Sequence, residues 1–469
     1  MKELPIHIRL QPDSSKTLYE QIYEFIRNEI RTGGLLRDEK LPSARYLAEY
    51  LQVSRTTVDM AYGQLVSEGY LEARPRQGYF VSAVEGLCAI DTFQREDRFR
   101  ANEEPAQAAG LLDFSPNAID MHFFPYATWK KITKNILVDA NSKMFSLGEP
   151  QGDYALRSTI CRYLHGSRGV NCEPEQIIIG AGNDYLLLLL EKILGRHVHV
   201  AMENPTYVRA YQIFKSCAYP VSLIPMDESG MRVDCLSQTD AQVAYVMPSH
   251  QYPTGISMPI GRRMELLKWA AEEEGRYLIE DDYDSEFRYK GKPLPSLQGS
   301  DNNGNVVYIG TFSKAIAPAI RISYMVLPYP LLERYRRECG FYSSTVSRID
   351  QTILNEFIQD GYFERYLNKM RKQYRMKHDL LLGGLRPFGK AFRISGSHAG
   401  LHVILTDRKG RREEELARQA ETVGVKVYQM RNFRMEETDD DTAMLILGYG
   451  ALSPEEIKKG VALLKKIWI

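Results

Sequence analysis

Hydrophobic positions fall into two regimes along the chain. In the first, Leu18, Ile22, Phe25, Ile26 and Ile30 recur at helical spacing and predict an amphipathic helix that Gly33-Gly34 ends. After Leu41-Pro42-Ser43 a second helix is expected, with Ala44, Leu47, Ala48 and Leu51 inward. Gln52-Val53 makes a tight connection. Ser54 is then a natural N-cap for a third helix, apolar through Val58, Ala61, Tyr62, Leu65 and Val66 and stopped at Gly69. Tyr70-Leu71-Glu72 and Tyr79-Phe80-Val81 read as two short strands joined by residues 73–78 into a hairpin. Three helices and a hairpin describe a winged helix-turn-helix over residues 1–82.

In the second regime, from residue 111 to 469, strand and helix signals alternate, which implies an α/β fold with a mainly parallel central sheet. Apolar runs recur at 177–179, 198–202, 244–247, 277–279 and 306–309. Each is followed at once by an unusual cluster. These are Gly180-Ala-Gly-Asn-Asp184, Glu203-Asn-Pro-Thr-Tyr207, Pro248-Ser-His-Gln-Tyr-Pro-Thr-Gly255, Glu280-Asp-Asp-Tyr-Asp284 and Gly310-Thr-Phe-Ser-Lys314. Parallel sheets place ligand sites at the carboxyl ends of their strands. The repeated pattern therefore points to one large site. Between the regimes, residues 83–110 turn polar and lose periodicity, as a linker does.

Composition narrows the picture without naming a function. The chain has 469 residues, with 60 Lys plus Arg against 60 Asp plus Glu, so a polybasic coat and an acidic tail are both excluded. Hydrophobic residues at 44% and charged residues at 26% fit a globular protein. No apolar run is long enough to cross a bilayer, and nothing at the N-terminus resembles a signal peptide. The six cysteines are scattered with no C-x-x-C pair. Neither a disulfide framework nor a zinc site is expected, and a reducing cytoplasm fits.

In the head, Ser54, Arg55, Thr56 and Thr57 would project from the first turn of the third helix, the part that enters the major groove in helix-turn-helix proteins. Arg45 is placed for a phosphate, and Arg74 and Arg76 at the hairpin tip for the minor groove or flanking phosphates. Residues 1–82 hold 11 basic and 11 acidic side chains, so a helical interaction module is the competing reading. The stretches Leu41 to Val58, Gln64 to Leu71 and Gln77 to Val81 resemble the GntR family of bacterial winged-helix regulators. That resemblance implies operator binding as a dimer, with Ser43, Arg45, Ser54, Arg55, Thr56 and Thr57 near DNA. Ala44 departs from it, standing where the family often has a charged residue.

In the body, Lys314 follows an apolar strand, with Ser313 beside it and Arg321 seven residues on. A Schiff-base lysine needs a sheltered place where its amine is neutral. Serine, threonine and arginine are what a phosphate ester requires. A carboxylate at Asp281 could face a protonated pyridine nitrogen, and Tyr283 a ring oxygen. The same acidic cluster also suits magnesium. The Gly180–Asp184 turn opens a helix whose N-terminus could hold phosphate. Tyr207 is placed either to stack on a ring or to pack in the core. His250 is placed either against that ring or as a satisfied loop histidine. His197 and His199 alternate on a strand and are read as ligands of nothing.

These residues together resemble fold-type I aminotransferases, and more closely the MocR/GabR-type regulators that join such a body to a GntR-like head. The resemblance runs over about residues 111 to 469, through Leu112 to Asn117, Phe124 to Trp129, Gly148 to Gly152, Ala155-Leu-Arg157, Glu203 to Tyr207, Ser249 to Gly255, Asp281 to Phe287 and Thr311 to Tyr324. It implies that Lys314 holds pyridoxal 5'-phosphate as an internal aldimine. Asp281 would face the pyridine nitrogen, Tyr283 the ring oxygen and Tyr207 the ring. Arg321, Ser313, Gly182 and Asn183 would hold the phosphate, with Thr311 and His250 also counted as cofactor-binding. It further implies a homodimer with each head packed on the partner's body.

Two departures weaken the case for efficient turnover. Ordinary aminotransferases have Asn directly before Pro-Thr-Gly, where this chain has Tyr252. They also carry a late-strand arginine for the substrate carboxylate, and Leu445 to Gly450 holds none. Arg431 or Arg434 could supply that charge, and Arg209 resembles an effector-gripping position of the GabR type. Each could instead be a plain surface arginine, with a role favoured for Arg209. The expectation is a cytoplasmic regulator whose body senses a small amine or amino acid by forming an external aldimine, with little or no turnover. A working aminotransferase that also binds DNA is the alternative.

Overall fold

The structure is a computed structural model and describes residues 8, 10–11, 16–83, 111–138, 142–289, 294–436 and 442–469. It divides into two compact units, Met1–Gln107 and Ala108–Ile469. The expected linker lies, except for Ala83, outside the described residues.

The first unit holds α1 (Leu18–Thr32), α2 (Ala44–Leu51) and α3 (Arg55–Ser67), then β1 (Leu71–Arg74) and β2 (Gly78–Val81) paired antiparallel. Ile22, Ile26, Ile30, Leu47, Val58, Ala61, Tyr62 and Leu65 belong to its core; of the apolar faces expected from spacing, Phe25, Leu51 and Val66 are partly buried against it and Leu18 is exposed. Gly33 ends α1 in a left-handed conformation (φ 81°), where a side chain would be strained. Ser54 caps α3: its Oγ accepts from Thr57 N at 3.1 Å. Such a cap is worth about 1 kcal/mol. Ser43 caps α2 in the same way, accepting from Tyr46 N at 3.2 Å.

The second unit opens with β3 (Leu112–Asp113), α4 (Tyr126–Val138) and α5 (Tyr154–Arg168). Its main sheet is built from β4 (Ile177–Gly180), β5 (Val200–Asn204), β6 (Val221–Asp227), β7 (Gly230–Met231), β8 (Val243–Val246), β9 (Tyr277–Asp282), β10 (Val306–Thr311) and β11 (Ser323–Val326). Its order is β4-β11-β10-β9-β8-β5-β6-β7. Strands β10, β9, β8, β5 and β6 run parallel, while β11 is antiparallel to both its neighbours, β10 and β4. The apolar runs of β4, β8 and β10 are buried along their length, as strands covered on both faces must be, while Val198, His199 and Tyr277 at the starts of two others are half-buried.

Helices α6 (Asn183–Leu194), α7 (Val208–Ser216), α8 (Val233–Leu236) and α9 (Ile260–Ala271) follow the early strands. Leu186, Leu187 and Leu190 of α6 pack with Ile178, Met202 and Ile279 in one core cluster. Farther on come α10 (Tyr329–Glu338), α11 (Arg348–Gln359) and the long α12 (Tyr362–Leu385). A smaller antiparallel sheet, ordered β12-β13-β16-β15, joins β12 (Phe392–Ser395), β13 (His402–Asp407), β15 (Tyr428–Gln429) and β16 (Met444–Gly448). α13 (Glu413–Thr422) and α14 (Pro454–Trp468) accompany it, and β14 (Val425–Lys426) pairs in parallel with β3.

One strand boundary differs from expectation. β5 begins at Val200, leaving His197 and His199 outside it. His199 N donates to Gln242 Oε1 at 2.8 Å, and its ring lies 2.9 Å from Ser222 Oγ, so local polar partners hold it. Among the described residues, no helix is long and apolar enough to cross a membrane.

Candidate functional site: a lysine-bearing cavity at the strand ends

The carboxyl ends of β5, β9 and β10 and the N-terminus of α6 surround a cavity of about 450 Å³. Lys314, Ser313, Thr311, Arg321, Asp281, Tyr283, Tyr207, Asn183 and Arg209, all singled out in the sequence, line it.

Lys314 comes just after β10. Its Nζ donates to Pro116 O at 3.0 Å. The side chain is half-buried by area, but its amine is enclosed by protein. Burial holds its pKa down to about 8, against a smaller opposing pull from Asp284. A neutral amine is therefore accessible near physiological pH.

Asp281 is buried at the end of β9. It accepts a hydrogen bond from Tyr245 Oη and lies 3.3 Å and 3.4 Å from Asn183 Nδ2 through its two oxygens. Burial pushes its carboxyl up to about 7, opposed by those two donors. A buried carboxylate lacking a cation is costly, and a protonated ring nitrogen would supply one.

The neighbouring carboxylates diverge, because strand residues alternate between faces. Glu280 accepts from Leu297 N and Gln298 N, both at 2.9 Å. Asp282 pairs with Arg168 at 2.7 Å and accepts from Tyr308 Oη at 2.5 Å. Asp284 lies 2.9 Å from His250 Nδ1. They do not converge on one point, and the magnesium reading loses its geometry.

A corner of the cavity that suits an anion is built from three elements. α6 starts at Asn183 after Gly182, whose φ of 91° suits glycine. Its first N–H groups have no partners within the helix and favour an anion. Arg321 Nη2 donates to Ala181 O at 3.3 Å and to Asp184 Oδ2 at 3.2 Å. Ser313 Oγ and Asn183 Oδ1 are buried and have no protein partner. The orphaned Ser313 hydroxyl, which can donate, and the glycine turn fit a phosphate ester; the Asn183 amide oxygen, an acceptor, does not.

Tyr283 Oη lies 2.9 Å from His250 Nδ1. His250 is buried behind Tyr283 and is not among the lining residues. Tyr207 packs edge-on to Tyr252, with ring centroids 6.1 Å apart. Tyr252 and Phe433, 5.4 Å apart, extend the aromatic wall. Arg209 Nη1 shares Asp184 Oδ2 with Arg321, at 3.4 Å. Arg431 pairs with Glu414 and is also absent from the cavity wall. Sequence reasoning assigned no site role to Asn117, Asp184, Gln212 or Phe433, which line the cavity, nor to Tyr245 behind Asp281.

In the first unit, Ser54, Arg55 and Thr56 are exposed and Thr57 is half-buried. Arg55 pairs with Asp59 at 3.3 Å and Arg45 with Glu49 at 3.4 Å, both exposed pairs that yield readily to a phosphate. Arg76 occupies the hairpin turn with φ 61°. Arg74 is instead the last residue of β1, lies over the Phe80 ring and pairs with Asp38 at 2.6 Å.

Comparison with known proteins agrees with both units. Residues 111–462 match the family described as Aminotransferase class I and II, and residues 18–81 the family described as Bacterial regulatory proteins, gntR family. The uncharacterized HTH-type transcriptional regulator YdeL of Bacillus subtilis is 38% identical over 96% of each chain. The probable rhizopine catabolism regulatory protein MocR of Rhizobium meliloti is 29% identical, over 98% of this chain and 95% of its own. This chain belongs to the MocR-type transcriptional regulators. Its body resembles the crystal structure of the multiple substrate aminotransferase of Thermococcus profundus, with a TM-score of 0.69 and 25% identity over 77% of this chain and 92% of that one. As a MocR-type body it has the pyridoxal-phosphate-dependent aminotransferase fold, and Lys314, Asp281, Ser313 and the Gly182 turn fit that cofactor.

Proposed function

We propose that this chain is a bacterial transcription regulator that binds operator DNA through its head and reads a small amine or amino acid in its body. The observation that carries the reading is Lys314, an enclosed amine on the wall of a cavity that also holds Asp281. Bound there, pyridoxal phosphate supplies an aldehyde carbon that primary amines seek and a ring that withdraws electrons. Lys314 provides the neutral amine for attachment. Asp281 holds a proton on the ring nitrogen, and Tyr245 and Asn183 hold Asp281. Arg321, Ser313, Thr311, the backbone N–H of Asn183 and the Gly182 turn hold the phosphate. Tyr207 flanks the ring, and Tyr283, backed by His250, meets the ring oxygen.

Arg209 on the cavity wall is the group for an effector carboxylate. Arg431 would join it only by leaving Glu414. β16 is buried and carries no arginine, which favours sensing over turnover. An effector shifts the regulator only if it contacts one state better than the other. The active form is taken to be a cytoplasmic homodimer, each head on its partner's body. Phe145 and Leu147, 77% and 88% exposed, are apolar surface that a second copy would cover.

The retained pair of Lys314 and Asp281 also supports a second reading, an aminotransferase that binds DNA. Visible absorption of cofactor-loaded protein during amine titration separates the two. A sensor's band shifts and stays shifted, and operator affinity changes with it. An enzyme's band bleaches and returns when a keto acid is added. No response of band or operator affinity to any amine or amino acid would overturn the sensing reading.

A further inference from the structure

Where α5 ends, the fold brings together three ligand side chains from residues 161–172. Cys161 and His165 are one turn apart on α5, so they share a face. Gly169 ends the helix in a left-handed conformation (φ 64°), and the reversal returns Cys172 to that face. Cys161 Sγ lies 4.0 Å from Cys172 Sγ and 3.7 Å from His165 Nε2. The three ligand atoms all lie within 4.8 Å of one another. A tetrahedral zinc ion, with Zn–S of about 2.3 Å and Zn–N of about 2.0 Å, needs such atoms roughly 3.5–3.8 Å apart. Small side-chain rotations close the difference.

The surroundings suit a cation. Both sulfurs are buried and His165 is exposed, so an ion would meet two ligands from the core and one from the surface. That leaves a fourth position toward solvent. Burial favours the neutral Cys161 thiol, and Glu175 and Glu173 add negative charge near it against the positive charge of Arg162, a balance that an adjacent cation would offset. At present both groups converge on the Cys172 carbonyl, 3.2 Å from Cys161 Sγ and 2.8 Å from His165 Nε2. Metal binding would trade these contacts for coordination, with the imidazole turned to its other tautomer.

The position is also tied to the cofactor cradle. Arg168, three residues beyond His165 on α5, grips Asp282 at 2.7 Å, beside Asp281. Cys172 leads through residues 174–176 into β4, which ends at Gly180 before the Gly182 turn.

We propose that Cys161, His165 and Cys172 bind a thiophilic cation of the zinc class, both sulfurs as thiolates, their protons released to solvent and water in the fourth place. The test uses the full chain, reduced and stripped with a chelator before cofactor is added. Zinc is titrated against a chromophoric chelator, and cobalt is used to look for thiolate-to-metal absorption. The expected result is one zinc per chain and a cobalt–thiolate band. Both should vanish in Cys161→Ser/Cys172→Ser, and zinc affinity should fall at least about tenfold in His165→Gln. The double variant removes two buried thiols and can misfold. His165→Gln alters only an exposed ring and carries the test alone, with its melting checked. Three results would each overturn the proposal: equal zinc uptake in wild type and His165→Gln, no uptake by wild type, or coupling of Cys161 to Cys172 on mild oxidation with no metal binding beforehand.

Discussion

The guanidinium of Arg321 packs over Gly182 so closely that the glycine position has no room for a Cβ. The contact holds Arg321 beside the N-terminus of α6, where Asp184 and the Ala181 carbonyl complete its hydrogen bonds. The anion corner is thus a fit between one cation and one missing side chain.

Gly182→Ala should therefore displace Arg321. It also places a side chain at φ 91°, a conformation that costs on the order of 1 kcal/mol or more. Affinity for pyridoxal phosphate should fall about tenfold or more, with a smaller loss of thermal stability. Titration of the visible band checks this, and an unchanged dissociation constant would mean that Arg321 holds no phosphate.

Asp281→Asn tests the ring-nitrogen partner. A hydrogen bond to a charged group is worth about 1.5–3 kcal/mol, so cofactor binding should weaken roughly tenfold to a hundredfold. Tyr245→Phe removes only a donor to Asp281 and should cost less. Equal losses in the two variants would show that Tyr245 does more than orient the carboxylate.

The lowered pKa of Lys314 sets a pH dependence. Its folded value of about 8 lies below the ordinary 10.5, so between those values the unfolded chain carries a proton that the native chain lacks. Stability without cofactor should rise with pH across that window. The rate of cofactor attachment should climb about tenfold per pH unit below 8 and level off above it. Stopped-flow absorbance checks this, and a climb continuing toward 10.5 would mark an ordinary solvated lysine.

In the head, Arg55 and Ser54 should behave oppositely. Arg55→Ala removes an exposed side chain whose surface ion pair contributes little to stability, and should leave melting nearly unchanged. It should weaken binding to selected operator duplexes by roughly 1–3 kcal/mol. Ser54→Ala loses the α3 cap and should destabilise the head by about 1 kcal/mol. Fluorescence anisotropy and calorimetry together separate the two effects.

Much of this site was legible in the sequence for one reason. A buried parallel strand reads as an unbroken apolar run, so Asp281, Lys314 and Tyr207 stood out just beyond one. Tyr245 was hidden because it lies within such a run, on β8, where it reads as core. Asn117 reaches the cavity from a segment about two hundred residues before Lys314, a contact that no local pattern encodes. The antiparallel direction of β11 is likewise absent from its composition. Arg74 was expected at the hairpin tip, but β1 runs longer than its apolar residues suggest and its pair with Asp38 ties it down. The cysteines gave no C-x-x-C signal because a helical turn and a glycine reversal, not a knuckle, bring Cys161 and Cys172 together.

The proposed role of the body depends on Lys314 holding the cofactor. The most direct test records visible absorption of purified protein with pyridoxal phosphate, wild type beside Lys314→Ala. A protein-bound band is expected in wild type, stable to desalting and lost in the variant. A band that survives in Lys314→Ala, or is missing from folded wild-type protein, would contradict that role.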